Sequence, residues 1–173
     1  MSEPRPPRYL KPMNKVMMAV QKLGIPTGPA MVLTVPGRKS GRPRSTPMTP
    51  FEFEGGLYVV AGYPGADWTA NARAAGSGTL ARGRRSQRVR IVELTADQAR
   101  PVLRAFAAEV PVGVAFAKRS GMVREGTADE FEALAGRLAV FRFEPTHPDT
   151  PSTQNSARNP LISRAVWGAG WAR

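Results

Sequence analysis

Four cations fall within seven positions of the stretch Gly37-Arg38-Lys39-Ser40-Gly41-Arg42-Pro43-Arg44, and no other part of the chain is so well suited to holding a ligand. Its two glycines let the backbone turn sharply and come close to a bound molecule. Arg38 and Arg44 can fork onto paired oxygens, Lys39 adds a point charge and Ser40 a hydroxyl, together a set that suits an anion such as a phosphate. Spacing alone leaves a second reading open, an ordinary charged hairpin tip, because basic glycine loops are common.

The remaining side chains exclude more than they offer. There is no cysteine, and the one histidine, His147, lies between Thr146 and Pro148. Thiol chemistry, structural zinc and imidazole-based hydrolytic triads are therefore not expected. Glu52, Glu54 and Asp67 make no convincing acid/base pair, and no phosphate loop of the Gly-x-x-x-x-Gly-Lys-Ser/Thr type is present. A chain so poor in reactive groups would leave its chemistry to a cofactor. The net charge of +12 is unevenly spread: Arg38–Arg90 holds ten basic and three acidic residues, Ile91–Thr150 seven basic and nine acidic. Such a field attracts anions. Arg82, Arg84, Arg85, Arg88 and Arg90 could be read as a nucleic-acid surface. They lack a basic helix or interleaved aromatic residues, so no nucleic-acid partner is expected.

These residues need elements to hold them. Met13, Val16, Met17, Val20 and Leu23 recur at helical spacing, with Lys11, Lys15 and Lys22 alongside. The stripe predicts a packed amphipathic helix, with weak contact between residues 11–23 and an anionic membrane surface as the alternative. Ala30–Val35, Ser45–Phe53, Leu57–Ala61, Thr79–Ala81, Gln87–Leu94 and Leu138–Phe143 read as strands, with Gly55-Gly56 as a hairpin signal. Asp67 is placed to cap a helix running to about Ala75. Thr95/Gln98 and Thr127/Glu130 form capping boxes for two more helices, with Pro101 marking a kink or a later start. Residues 1–29 are thus an arm and helix, 30–144 the folded domain, and 145–173 an extension whose first part is rich in Pro, Ser and Thr. Leu161, Ile162, Val166, Trp167 and Trp171 would dock on the body or on a second copy, so a homodimer is among the expectations. The strand order predicts an α+β fold: a small antiparallel barrel with flanking helices. The start is no signal peptide and no run of about 20 apolar residues occurs. The expected location is cytoplasmic, with peripheral attachment at the inner membrane face as the variant.

Several segments together carry a resemblance. They are Leu33-Thr34-Val35-Pro36-Gly37-Arg38-Lys39-Ser40-Gly41-Arg42-Pro43-Arg44-Ser45-Thr46-Pro47, Asp67-Trp68-Thr69-Ala70-Asn71-Ala72-Arg73-Ala74-Ala75-Gly76, Gly83-Arg84-Arg85 leading to Val92-Glu93-Leu94, and Val140-Phe141-Arg142-Phe143. From Met31 to about Glu144 the chain resembles the deazaflavin (coenzyme F420)-dependent nitroreductases, oxidoreductases of the split β-barrel, FMN-binding-like class. The resemblance implies that Arg38, Lys39, Ser40 and Arg44 grip the phosphate and acidic tail of F420. It lays Ser45, Thr46, Pro47 and Met48 along the deazaflavin ring, with Tyr63, Pro64, Gly65, Asp67, Trp68 and Asn71 as the other wall. It further implies hydride transfer between C5 of the ring and a small acceptor: a quinone, an enone or a nitro-compound. No catalytic side chain is required for this. FMN, which also carries a phosphate, is the alternative coenzyme, and a coenzyme carrier without turnover the alternative role. One departure concerns the acceptor: nitro-reducing members place tyrosines over the ring from the region matching Pro111–Ala117, where this sequence has none and offers Phe116 instead.

Overall fold

The computed structural model describes residues 30–146; the amphipathic stripe at 13–23, His147 and the C-terminal extension lie outside them. Seven strands form one sheet: β1 (Met31–Pro36), β2 (Pro43–Met48), β3 (Phe51–Phe53), β4 (Gly56–Val60), β5 (Ser77–Arg82), β6 (Arg85–Glu93) and β7 (Val140–Pro145). Their order is β2-β1-β5-β6-β7-β4-β3, antiparallel throughout. The two outermost strands, β2 and β3, are separated in the chain only by Thr49 and Pro50. Edges joined by so short a link cannot lie far apart, so the sheet must curl on itself. The α+β barrel expected from the strand order is what forms.

The stretch read as one strand, Ser45–Phe53, is two. Its first half pairs with β1 (Leu33 opposite Thr46) and its second with β4 (Phe51 opposite Tyr58). Continuing the second register would set Thr49 against Val60 and Pro47 against Gly62, yet neither pair belongs to a ladder. Pro47 and Pro50 have no N–H to give to such a ladder. The barrel is therefore closed over β3 and split above it, leaving the outer edge of β2 and the far end of β4 unpaired among the described strands.

Alternation fills the interior. Leu33, Val35, Leu57, Val59, Leu80, Val89, Ile91, Phe141 and Phe143 form the inner cluster. Arg88 and Arg90 are exposed on the opposite face of β6 from Val89 and Ile91, as the period of two requires. Helix α1 (Asp67–Ala75) lies across the end of the barrel where β1 and β6 finish, adding Ala72 and half-buried Trp68 to the inner cluster. Helices α2 (Ala96–Glu109), α3 (Pro111–Arg119) and α4 (Ala128–Glu132) build a second cluster on the outer face of β3, β4 and β7 around Phe51, Phe106, Phe131 and Val140.

Both capping boxes form, Thr95 with Gln98 and Thr127 with Glu130. Glu130 accepts further backbone bonds from Arg124, Glu125 and Gly126, and these donors hold its carboxyl below the usual range. One local expectation needs correcting and two are sharpened. Asp67 is the first residue of α1 rather than its cap, which is Ala66 with no side-chain cap bond. Pro101 neither delays nor ends α2; it lies exposed inside it, forgoing only the bond to the Asp97 carbonyl. The hairpin turns on Glu54 and Gly55, both at positive φ (46° and 75°), and Gly56 already belongs to β4. That is a type I′ pattern, whose twist suits two adjacent strands.

Gly78 of β5 marks a tight passage against β1. A Cβ there would stand 2.8 Å from both the Thr34 carbonyl oxygen and Val35 Cγ1. Gly78→Ala should destabilise the domain by about 1–3 kcal/mol through overpacking, measured as a lower urea midpoint at unchanged m-value.

Candidate functional site

The basic loop leaves β1 at Pro36 and re-enters the sheet at Pro43. Its base is closed by Gly37 N–H donating to the Arg42 carbonyl (2.9 Å) and Gly41 N–H to the Gly37 carbonyl (2.8 Å). Gly41 takes φ 66°, a conformation costly for other residues. Ser40 Oγ accepts from the Arg42 N–H at 3.4 Å, so its hydroxyl helps to shape the turn.

The four cations are not equivalent. Arg38 points back at α1: its backbone N–H (3.2 Å) and Nη1 (3.0 Å) both donate to Asn71 Oδ1, Nη1 reaches the Asp67 carbonyl (3.4 Å), and Nη2 meets Asp67 Oδ1 (3.2 Å). Lys39, Arg42 and Arg44 are exposed and have no acidic partner among the described residues. Asn71, which on its own would read as a helix-surface residue, is 8% exposed. A second link ties α1 to the sheet. Arg73 forks onto Glu93 of β6 with both contacts at 2.6 Å, its guanidinium carbon 5.9 Å from the centre of the Phe141 ring. Trp68 packs on the same ring, centroids 5.4 Å apart. Exposed ion pairs of this kind add little stability; burial of Ala72 and Trp68 holds the helix down, and the arginines fix its direction.

Ser45, Thr46, Pro47 and Met48 run along the unpaired edge of β2, half-buried. Across the split, β4 leads through Ala61 and Gly62 into the turn Tyr63-Pro64-Gly65, with Gly65 at φ 73°. The residues expected from the sequence thus share one end of the barrel, the loop and α1 in direct contact and the turn running into α1. Two more join them, and with them Phe116, which the resemblance already singles out. Arg42 is one, and its charge was visible in the sequence. Gly62 is the other, and no local signal joins it to Phe116: a Cβ on Gly62 would touch Phe116 Cε1 at 3.4 Å, so the α3 ring lies over the start of the turn. The alternating arginines of β6 take no part in this cluster, and Arg90 pairs with Glu144.

Among the described residues no group of acidic, histidine or cysteine side chains could hold a metal, and no helix is long and apolar enough to cross a membrane. What this end of the barrel does present is a tip with three exposed cations, an edge strand unpaired on its outer side among the described strands, and an aromatic ring beside Gly62.

The sequence matches the model of the F420H(2)-dependent quinone reductase family over residues 13–123. The chain belongs to that family. It is accordingly an F420-dependent oxidoreductase, which decides between the two coenzymes that the loop alone left open. A comparison with curated protein sequences finds no match. Similar solved structures include an F420-H2-dependent reductase (20% identity, 67% of this chain and 94% of that one, TM-score 0.41). Others are PhzG from Burkholderia lata (18% identity, 81% and 78%, TM-score 0.43) and a FAD-binding protein from Mesorhizobium loti (15% identity, 75% and 87%, TM-score 0.43).

Tyr63 is a titratable group altered by this setting. Burial pushes its phenol above the ordinary 10.0, and the neighbouring Asp67 carboxylate pushes it the same way. A raised phenol favours the folded state fully below its ordinary value, and the contribution disappears as pH climbs through the higher folded value. Alkaline absorbance titration, with Tyr63→Phe as the reference, should place this midpoint above 10. Asp67→Asn should bring it only part of the way back.

Proposed function

We propose that the split between β2 and the far end of β4 is the coenzyme slot. In this reading Lys39, Arg42 and Arg44 hold the phosphate and acidic tail of F420, with Ser40 shaping the turn that presents them. Ser45, Thr46, Pro47 and Met48 form one lip and Tyr63, Pro64 and Gly65 the other. Asp67, Trp68 and Asn71 support it from α1. The observation that carries this reading is the division of charge in one short loop. One of its four cations is bound to α1, and three are exposed beside an unpaired strand edge.

The residues present fit such a group. The exposed cations match a polyanion, and the slot offers free backbone where a flat heterocycle needs donors and acceptors. Bound there, the coenzyme supplies the hydride. The chain's own part is to bind, orient and limit water, for which proximity and a preorganised polar frame suffice. Tyr63, whose phenol is pushed above its ordinary value by burial and by Asp67, stays neutral at this lip.

For the acceptor we favour a quinone or an activated enone over a nitro-compound. The flank that α3 sets against the turn is Phe116, a ring with no hydroxyl, so it offers apolar contact to a flat electrophile and no hydrogen bond to a nitro group. Reduction of a quinone adds one hydride and one proton, and solvent can provide the proton.

Rapid mixing of the protein carrying reduced F420 with menadione should oxidise the coenzyme far faster than mixing with a nitroimidazole. Equal rates, or no oxidation above background, would sink the acceptor assignment. Lys39→Ala combined with Arg44→Ala should weaken F420 binding by roughly 100-fold, about two charge-assisted contacts. Its thermal midpoint should be unchanged, since both side chains are exposed.

A further inference from the structure

The basic loop contains a cation that its own fold has already engaged. One oxygen, Asn71 Oδ1, accepts both the backbone N–H and Nη1 of Arg38, so main chain and side chain of the same residue are fixed by one carboxamide. The Asp67 carbonyl and carboxylate take Nη1 and Nη2 on the same side. A surface arginine recruited for an anion would be expected to keep its fork free and its charge uncompensated. Here the fork faces α1 and a carboxylate sits on it.

Resting on the coenzyme site proposed above, we infer that Arg38 is a positioning residue and not a phosphate ligand: with Asn71 and Asp67 it clamps the loop to α1. The clamp determines where the next residues stand. Lys39 follows Arg38 directly, and Gly37, immediately before it, closes the loop base against Arg42. A Cβ at Gly37 would meet Arg44 Cγ, the Arg42 oxygen and Ser40 Oγ at 3.2–3.3 Å, so the loop is packed tightly around its first glycine. With its entry pinned and its base closed, the loop presents Lys39, Arg42 and Arg44 in a fixed arrangement, lowering the ordering cost of binding. Asn71 is the fulcrum because it is the buried member of the set, whereas the Asp67 side chain is 91% exposed.

A ligand and a clamp respond differently to conservative change. Lysine at position 38 keeps the charge but cannot fork onto Asn71 and Asp67 together. Equilibrium titration of the full chain with F420, and with the same deazaflavin lacking its phosphate and tail, separates the two roles. Arg38→Lys, Arg38→Ala and Asn71→Ala should each weaken F420 binding by about tenfold, the scale of one bond to a charged group. The Arg38→Lys/Asn71→Ala double variant should be no worse than the poorer single, because both remove the same device. Neither single variant at position 38 should alter affinity for the phosphate-free form. Full rescue by Arg38→Lys, or losses that multiply in the double variant, would make Arg38 an independent ligand and overturn the proposal. Should Asn71→Ala unfold, the lysine and alanine variants at position 38 still decide. Unchanged F420 affinity in the Lys39/Arg44 variant would instead refute the phosphate site itself, whatever the position 38 variants show.

Discussion

One stretch of chain, residues 43–53, serves both edges of the sheet, and this constraint shapes everything at the functional end. Its first half completes the ladder on β1 and its second half the ladder on β4. A sheet closed in this way is a barrel with no choice about where its seam lies. The prolines at 47 and 50 withhold the donors that would zip the seam fully. The seam therefore stays open on the side toward α1, and unpaired backbone, normally a hazard at a sheet edge, is what the proposed coenzyme slot would use as its lining. Closing it with a longer β3 would give a sounder barrel and no slot.

Charge is organised around the same end. A run of cations in a glycine loop would repel itself and wander unless something held it. The fold assigns one arginine to the helix beside it and leaves the others exposed. The second arginine link, Arg73 to Glu93, ties the far side of that helix to β6. Helix, loop and strand are cross-braced by side chains whose pairing adds little to global stability but restricts relative movement. That rigidity matters more than strength for an enzyme whose contribution is orientation.

Few reactive side chains are needed for hydride delivery from a bound deazaflavin. The lack of cysteine and the scarcity of histidine agree with an economy in which the coenzyme carries the chemistry and the protein supplies shape and field. In the proposed site, specificity for the acceptor would fall to the walls of the slot. Phe116, brought against Gly62 by a helix more than fifty residues later in the chain, would be a wall without a hydrogen-bonding group.

The sequence by itself determined the elements with strong local causes. The capping boxes at Thr95 and Thr127 formed as read, because their hydrogen bonds are made within three residues. Alternation placed Val89 and Ile91 inside and Arg88 outside, since the strand period leaves no other arrangement. The motif pairing of the basic loop with Asp67-Trp68 and Asn71 also identified two segments that do meet, along with the coenzyme that the family uses. Tertiary structure decided what depends on partners distant in the chain. Nothing around Arg38 shows that its guanidinium is engaged by Asp67 and Asn71, on a helix some thirty residues on, and equal-looking cations become unequal only when α1 is laid beside the loop. The break of one apparent strand into β2 and β3 follows from which neighbours each half can pair with. The meeting of Phe116 with Gly62 depends on how α3 packs against the barrel, a long-range outcome that no local pattern encodes.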